Sequence, residues 1–433
     1  MFTYKYLMMQ SKMLMVTTVA ISGLLVACSE DDDPIRPSEE ETETEPADTI
    51  CGVPVMYIST NDIEIDSKEH YFACHISLDG KGVYENYESE QNDSIRGRGN
   101  STWEWYDKKP YKIKLDHKES LLGMGAGKHY VLLANYRDPT KFMNAVTFDM
   151  ARYMGLKYTN TNRFVEVYLN GEYIGFYQLT EQIEQGSGRV AVDKENGVLI
   201  SLDYDDGPDL SPDNNDNFYS EVFNSSYSWW GLPVCVKYPD DPTEDQLDEI
   251  RDDFITLEKY IKKKDYDGLK TRLDVQSMMD FLIIQELTRN VELVTPRSMY
   301  MYRDEENMWH FGPVWDFDGG FAFNWGNHNT YFVSQSWLMG PKGEYDIPDF
   351  FDKMFDNSEY LADYKARWDE INQGMLQYVF EHLDSYQEMC HEAMVRDFER
   401  WPITKDYDTE IGNMKEWLQT RADNYTTYLS TWK

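Results

Sequence analysis

One stretch past the middle of the chain constrains the fold most, because it predicts several elements in a fixed order. Residues 275–288 form a predicted helix, a polar loop follows, and residues 298–314 have the pattern of a β-hairpin. Asp316 and Asp318 come directly after the hairpin, separated by one residue and next to glycines. Carboxylate oxygens are the ligands that a hard cation such as Mg²⁺ prefers. The stretch therefore indicates either a metal site or a polar turn.

The catalytic core of protein kinases has the same order of elements. There, the loop supplies a carboxylate near the accepting hydroxyl, and the aspartate after the hairpin holds Mg²⁺ on the nucleotide phosphates. Phosphoryl transfer depends mainly on positioning and charge neutralisation, so a few groups suffice. The order of elements thus favours a phosphate-transfer site, while the polar turn stays open as the alternative.

Composition and charge narrow the class of protein. The 433 residues allow one large domain or about two to three average ones. A hydrophobic content of 41% and an aromatic content of 15% are ample for a packed core. The net charge of -37 argues against a nucleic-acid partner, because phosphate backbones attract Lys and Arg. The acidity indicates a soluble surface or, more specifically, a cationic or basic-peptide partner.

The N-terminal segment is predicted to be a targeting signal. Residues 1–27 have a short basic region and an apolar run too short to favour a permanent transmembrane helix. The run ends at Cys28 behind small residues and resembles a bacterial lipobox, although an ordinary signal peptide with a chance cysteine fits as well. Ser29 and the four acidic residues 30–33 after it resemble the surface-export signal of Bacteroidetes lipoproteins, or form a charged linker. Residues 28–50 are a predicted acidic, disordered tether. We therefore expect an outer-membrane lipoprotein at the cell surface, attached to the membrane through lipid on Cys28.

The remaining chain is predicted to form an α+β fold. Residues 51–240 are mainly strand-like, and residues 241–433 are mainly helical. Tyr111–Leu115 alternates strictly between apolar and basic residues, which is typical of a half-buried strand. Asn170-Gly171 separates two strand-like runs and favours a type I′ hairpin turn.

Helix signals are strongest at three places. Residues 139–154 have an apolar face, with Asp138 as the predicted cap and Gly155 at the end. A helix through residues 247–261 has acids at its start and lysines at its end, which suits the helix dipole. Asp274 can cap the helix that leads into the loop before the hairpin.

Four cysteines follow the lipobox: Cys51, Cys74, Cys235 and Cys390. Their spacing does not favour a zinc or thioredoxin-like site. An exported location permits a disulfide between Cys51 and Cys74, and buried free thiols are the alternative.

Five blocks of sequence lie in a specific order between about residues 90 and 325. They are Arg98–Trp103 with Lys108–Leu115, Leu132–Asp138 with Asn144, Val167–Gly175 with Glu181, Gln285–Glu292, and Trp315–Asp318. Each block alone is weak, but together they resemble the CotH family of atypical, kinase-like proteins, named for a spore-coat protein. The resemblance implies a protein-kinase-like core that uses ATP and Mg²⁺ or Mn²⁺ to phosphorylate Ser or Thr of a protein.

The resemblance also implies roles for individual residues. Asp316 would bind metal, with Asp318 beside it, and Asn290 would lie in the catalytic loop. Lys112 or Lys114 would touch phosphates. Further predicted nucleotide-site residues are Arg98, in a Gly-containing loop, and Glu181, at the end of a strand. Each of these has a plainer interpretation as a turn, a solvent-facing cation or an exposed strand end.

The catalytic loop departs from the family pattern. Glu292 stands where the family often has Asp, and its side chain is one methylene longer. A positioning error of about 1 Å can cost roughly 100-fold in rate. Arg297 could neutralise phosphate charge, or it could form a plain salt bridge with Glu292.

Two functions therefore follow from the sequence. The first is a surface lipoprotein that transfers the ATP γ-phosphate to protein Ser or Thr. The alternative is a catalytically inactive kinase-like scaffold that acts as a surface glycan- or protein-binding module, in which Trp229-Trp230 could be a carbohydrate platform or core packing. No motif specifies the protein substrate or surface ligand.

Overall fold

The structure is a computed structural model. It describes residues 52–89, 93–206, 217–220, 222–223, 231–317, 319–322, 336–403 and 405–433. The predictions for the signal peptide, lipidated Cys28, the tether, Trp229-Trp230 and Asp318 fall outside these residues.

Seven strands of the N-terminal part close into a barrel within the described residues. The strands of this sheet are β1 Val55–Ser59, β2 Phe72–Asp79, β3 Tyr87–Glu88, β4 Asp93–Gly97, β5 Tyr111–Glu119, β6 Gly127–Leu133, β7 Asn162–Leu169 and β8 Glu172–Glu181. Neighbouring strands follow the order β1-β7-β8-β6-β5-β4-β2, and β2 pairs back onto β1 while β3 extends from β2. The β1–β7 pair is parallel.

The barrel corrects one part of the predicted fold. The α+β class is confirmed, with a β-rich first part and a helical second part. The sheet, however, is a closed barrel and not the sheet of a kinase-like core. Closure depends on β1, which hydrogen-bonds β2 on one edge and β7 on the other, so that neither edge stays open. The partner of β1 in β7 is more than 100 residues away, beyond the reach of a local pattern.

Two local strand predictions are confirmed. In β5, Tyr111, Ile113 and Leu115 are buried, while Lys112 and Lys114 point to the other face. Asn170 and Gly171 have φ of 50° and 82°, as the tight turn between β7 and β8 requires.

A second, five-stranded antiparallel sheet follows in the described part of the chain. Its strands are β9 Val198–Leu202, β10 Asn217–Tyr219, β11 Pro233–Tyr238, β12 Met299–Arg303 and β13 Trp309–Phe311, in the order β10-β11-β9-β12-β13. The predicted hairpin is confirmed as β12 and β13, with Met301 opposite Phe311. The sheet therefore places the end of β9 beside the start of β12.

Helices supply most of the second half. The described helices are α1 Ser101–Trp105, α2 Met143–Met154, α3 Glu244–Lys263, α4 Tyr266–Lys270, α5 Val275–Leu287, α6 Asp349–Asp352, α7 Ser358–Ile371, α8 Met375–Arg400 and α9 Tyr407–Leu429, with 3-10 turns at Leu121–Gly123, Val291–Val294 and Lys353–Asp356. Asp274 caps α5 as predicted, by accepting a hydrogen bond from the Ser277 backbone.

Helix α2 begins later than predicted. The prediction placed its start at Pro139, but Lys141 has a left-handed φ of 62° and the helix begins at Met143. Asp138 still accepts the Met143 backbone N–H at 3.0 Å, from outside the helix. Gly155 ends the helix at φ 86°, as predicted.

Strand β6 contributes to two hydrophobic cores. Tyr130 and Leu132 point into the barrel, whereas Val131 and Leu133 pack against α2 and the helical part. Lys112 of β5 lies opposite Val131 and so shares its face. The barrel face that carries Lys112 is therefore turned toward the second half of the chain.

A buried charged cluster also joins the barrel to α8. In this barrel–helix clamp, Lys108 Nζ donates to Asp397 Oδ1 at 2.6 Å and to the Phe176 carbonyl at 2.7 Å, and Lys141 Nζ lies 3.6 Å from Asp397 Oδ2. Burial, only partly offset by Asp397, lowers the pKa of Lys108 to about 8.

The cysteines of the described residues form no disulfide with one another. Cys74, Cys235 and Cys390 are buried free thiols, and burial raises the pKa of Cys74 to about 12. Cys51 lies outside the described residues. Among the helices of the described ranges, none combines the length and apolar character needed to span a bilayer.

Candidate functional site

Asp316 is held at the start of a tightly connected segment. Its own φ is 59°, a left-handed conformation, and its side chain is partly exposed. Ser298 Oγ donates to Asp316 Oδ2 at 3.2 Å. The next residue, Phe317, is buried and donates its backbone N–H to Asn144 Oδ1 of α2 at 3.0 Å. These contacts leave the Asp316 carboxylate at the surface of the site while the following chain is anchored in the core.

The predicted catalytic loop packs directly on this segment. Asn290 Oδ1 accepts the Glu292 backbone N–H at 3.3 Å, and Val291 N–H donates to the Gly319 carbonyl at 3.1 Å. A Cβ at Gly319 would lie 2.8 Å from both Asn290 Oδ1 and Glu292 Cγ, so only glycine fits there. The structure thus brings Asn290 and Glu292 next to the segment that carries Asp316.

Arg297 is engaged by a carboxylate that the sequence analysis did not identify. Its Nε donates to Asp205 Oδ1 at 3.0 Å, and its Nη1 donates to the Thr295 carbonyl. Burial lowers the pKa of Arg297, but the charges of Asp205 and Glu292 outweigh burial, and the net pKa is raised. The Glu292 charge acts on Arg297 in addition to the Asp205 pair.

Asp203 is a second carboxylate of the site that was not predicted from the sequence. It follows β9, and its Oδ2 accepts the Ser298 backbone N–H at 3.0 Å. Asp203 and Asp205 are two acids separated by one residue directly after an apolar strand. The same pattern singled out Asp316 and Asp318, so this signal was available in the sequence.

Four basic residues lie close together on and next to strands β4 and β5. Lys112 lies directly opposite Arg96 in the β4–β5 ladder, and Lys114 is exposed on the same face. The Arg98 guanidinium lies 5.7 Å from the centre of the Trp315 ring, which links the barrel to the Asp316 segment. Of the predicted residues, Arg98 therefore lies beside the segment that carries Asp316, and Lys112 and Lys114 lie near Arg98 on the barrel.

Lys112 has a lowered pKa because of its position on the barrel. Burial, followed by repulsion from Arg96, lowers its pKa to about 8. Within the described residues, its ammonium makes no ion pair or hydrogen bond. Like charges directly opposite in a ladder are destabilising, so the arrangement indicates a site for an anion.

Glu181 is not brought to Lys112. It lies opposite Tyr130 and therefore faces the barrel interior, where burial raises the pKa of its carboxyl. The carboxylate near Lys112 is instead Glu184, whose Oε2 lies 2.6 Å from His129 Nδ1 and whose charge acts on Lys112. Strand alternation explains the difference, because Thr180 and not Glu181 shares the face of Lys112.

The Gly-containing loop before α1 connects the two sheets. Asn100 Nδ2 donates to Asp205 Oδ2 at 3.3 Å. A Cβ at Gly97 would lie 2.4 Å from the Trp103 ring, so that glycine is needed for packing. The loop thus spans from the cations of the barrel to the acids at the end of β9.

We call Arg98, Lys112, Asp203, Ser298 and Asp316 the junction site. The partly exposed carboxylate of Asp316 offers oxygen ligands of the kind that a hard cation prefers, although the described residues contain no group of three or more potential metal-ligating His, Cys, Asp or Glu. Cations beside one sheet and carboxylates beside the other define a class of site that can hold phosphate and a metal ion.

Comparison with known families agrees with this class. The sequence pattern of the family described as CotH kinase protein matches residues 95–425, and the chain belongs to that family. The match continues through α8 and most of α9, so the C-terminal helices are part of the family domain and extend it well past residue 325. A search of curated proteins gives no match.

Proposed function

We propose that this chain transfers the γ-phosphate of ATP to Ser or Thr of a protein, with Mg²⁺ or Mn²⁺. The observation that carries the proposal is Lys112, a half-buried cation opposite Arg96 that forms no ion pair within the described residues. A polyphosphate would supply the missing negative charge.

The metal would be held by Asp316, with Asp318 beside it in sequence. A bound divalent ion would neutralise charge on the transferring phosphoryl group. Lys112 and Arg98 would hold phosphate oxygens from the barrel side. Glu292, next to the Asp316 segment, would orient the acceptor hydroxyl.

Measurement of nucleotide binding tests whether Lys112 contacts the phosphates. We expect Lys112→Met to weaken binding of ATP with Mg²⁺ at least about tenfold, because a partly desolvated charge contact to phosphate is lost. Lys114→Met is the matched control, since Lys114 lies on the same face of the same strand but is exposed. Isothermal titration measures both. Equal affinities for the two variants and the unmodified protein would contradict the role of Lys112.

Transfer itself is tested with labelled ATP and Mg²⁺ or Mn²⁺, using a generic basic protein as acceptor and following autophosphorylation in parallel. We expect incorporation by the unmodified protein and none by Asp316→Ala. An absence of both phosphate transfer and metal-dependent nucleotide binding in the unmodified protein would exclude the kinase function.

A second candidate is an inactive kinase-like scaffold that binds a surface glycan or protein. The observation that favours it is the burial of Glu292, which is 1% exposed and therefore poorly placed to reach an acceptor hydroxyl. On this alternative, the protein binds nucleotide without transferring phosphate. Glycan-array binding that persists in Asp316→Ala would support the scaffold.

We also propose that the chain is an outer-membrane lipoprotein exposed at the cell surface. The lipobox-like residues before Cys28 and the acidic run after it support this location. Labelling of cells with a palmitate analogue should mark the unmodified protein and not Cys28→Ala. Resistance of the labelled protein to protease added to intact cells would argue against surface exposure.

A further inference from the structure

Ser298 connects two carboxylates that come from different parts of the chain. Its backbone N–H donates to Asp203 Oδ2 at 3.0 Å, and its Oγ donates to Asp316 Oδ2 at 3.2 Å. Met299 lies opposite Leu202 in the β9–β12 ladder, so Ser298 and Asp203 are the next residues beyond the last pair. One serine therefore ties the end of β9 to the segment that follows β13.

The conformation of Ser298 is specified by its surroundings. Its φ is 52°, a left-handed value that residues other than glycine seldom adopt. The residues before it are held as well, because Tyr204 N–H donates to the Pro296 carbonyl at 2.9 Å and Arg297 pairs with Asp205. The backbone at Ser298 is thus turned so that both of its donors point at carboxylates.

Both oxygens of Asp203 accept backbone hydrogen bonds. Oδ2 accepts from Ser298 N–H, and Oδ1 accepts from Asp205 N–H at 3.0 Å. Asp203 is 7% exposed and so is held within the fold. This carboxylate organises the backbone on either side of the junction site, which is the task of a positioning group and not of a metal ligand.

We propose that Asp203 and Ser298 are positioning residues that orient Asp316 toward the divalent cation. The Ser298 hydroxyl engages Oδ2 of Asp316 and leaves Oδ1 directed to the ion. Asp203 holds Ser298 in the left-handed conformation that this contact requires. The inference rests on the proposed function, because it takes Asp316 to be a metal ligand.

The test measures binding of Mn²⁺ alone to the full chain by electron paramagnetic resonance of the free ion, without nucleotide. Loss of an outer hydrogen-bond partner of a metal ligand typically costs about 10–100-fold in metal affinity. We expect a loss of that size for Ser298→Gly, which removes the hydroxyl and tolerates the left-handed φ. Asp203→Asn should also weaken binding, since it exchanges a carboxylate acceptor for a weaker amide. Ser298→Asn should recover affinity, because Asn adopts left-handed φ and can donate a hydrogen bond.

Asp206→Asn is the matched control. Asp206 lies in the same acidic run, but its half-exposed carboxylate pairs with Lys237 at 2.6 Å. A purely structural role would lower the melting temperature of a variant without changing Mn²⁺ affinity, so both quantities are measured for each variant.

The outcomes separate the positioning role from the metal site. Mn²⁺ binding that is lost in Asp316→Ala but equal in Ser298→Gly, Asp203→Asn and the unmodified protein would overturn the positioning role and leave the metal site intact. No Mn²⁺ binding by the unmodified protein would overturn both.

Discussion

Replacing Arg421 with methionine tests how the helical C-terminal part supports the predicted catalytic loop. Arg421 of α9 and Glu286 of α5 form a fully buried ion pair at 2.9 Å. Arg421 also donates to the Leu287 carbonyl at 2.9 Å, at the end of α5 and just before the loop. The Glu286 carboxylate accepts the backbone N–H groups of Leu338 and Met339 at 2.8–3.0 Å. The pair thus joins three segments around the base of the loop.

The expected cost follows from burial. Desolvation lowers the pKa of Arg421 to about 10 and raises the pKa of Glu286. For each group, the effect of burial on the pKa is therefore larger than the opposing effect of its partner's charge. Such a pair adds little net stability by itself, but removing one partner leaves the other charge buried and uncompensated. Breaking a buried pair in this way costs about 3–5 kcal/mol. We therefore expect Arg421→Met to lower the free energy of unfolding by about that amount.

Equilibrium urea unfolding of the full chain at pH 7, followed by circular dichroism, measures the change. Arg400→Met is the control, because Arg400 forms a comparable 2.8 Å pair with Glu172 at the surface, where the expected loss is below about 1 kcal/mol. The double variant Glu286→Gln with Arg421→Met should be less destabilised than Arg421→Met, since no buried charge is then stranded. A loss for Arg421→Met no larger than that of the surface control would show that the buried pair does not support this part of the fold.

Two further perturbations have defined outcomes. Hydrogen bonds to Asp274 and Asp304 raise the pKa of His310 despite burial, so the imidazolium contribution to stability is present below pH 6.5 and is lost as pH rises through the raised folded pKa. The difference in melting temperature between the unmodified protein and His310→Gln should therefore be larger at pH 5.5 than at pH 9. A difference that does not depend on pH would contradict a stabilising role of the His310 imidazolium. Gly175→Ala adds a Cβ 2.6 Å from the carboxylate of the barrel–helix clamp at a φ of 122°, and we expect a loss of more than about 2 kcal/mol in urea unfolding. Gly171→Ala, with a φ of 82° and open space around its Cβ, should cost only about 1 kcal/mol, and equal losses would show that the clamp is not involved.

Local signals in the sequence predicted local structure well. The alternation in Tyr111–Leu115, the Asn170-Gly171 turn and the Asp274 cap each depend on residues within a few positions of one another, and each is observed. The start of α2 was misplaced because Asp138 accepts its hydrogen bond from outside the helix, beyond a left-handed Lys141. A capping residue and a loop residue that bonds the same N–H look alike in sequence.

The sequence predicted which types of residue make up the candidate site, but it did not predict which of them contact one another. Strand alternation, applied to β8, would have excluded Glu181 from the face of Lys112 once the pairing of β6 with β8 was known. That pairing joins residues about 50 positions apart, and no local pattern contains it. Asp203 and Asp205 carried the same acid-x-acid signal as Asp316, but their role depends on β9 lying beside β12.

The order of helix, loop, hairpin and Asp316, the α+β class and the family resemblance can be inferred without a structure, because they depend on contiguous residues and local periodicity. Three features become visible only in the folded chain: the first sheet closes into a barrel, Arg297 pairs with Asp205, and Ser298 faces two carboxylates. These features are contacts between strands and loops distant in the chain. Their free energy comes from pairing and burial that exist only after the chain has folded.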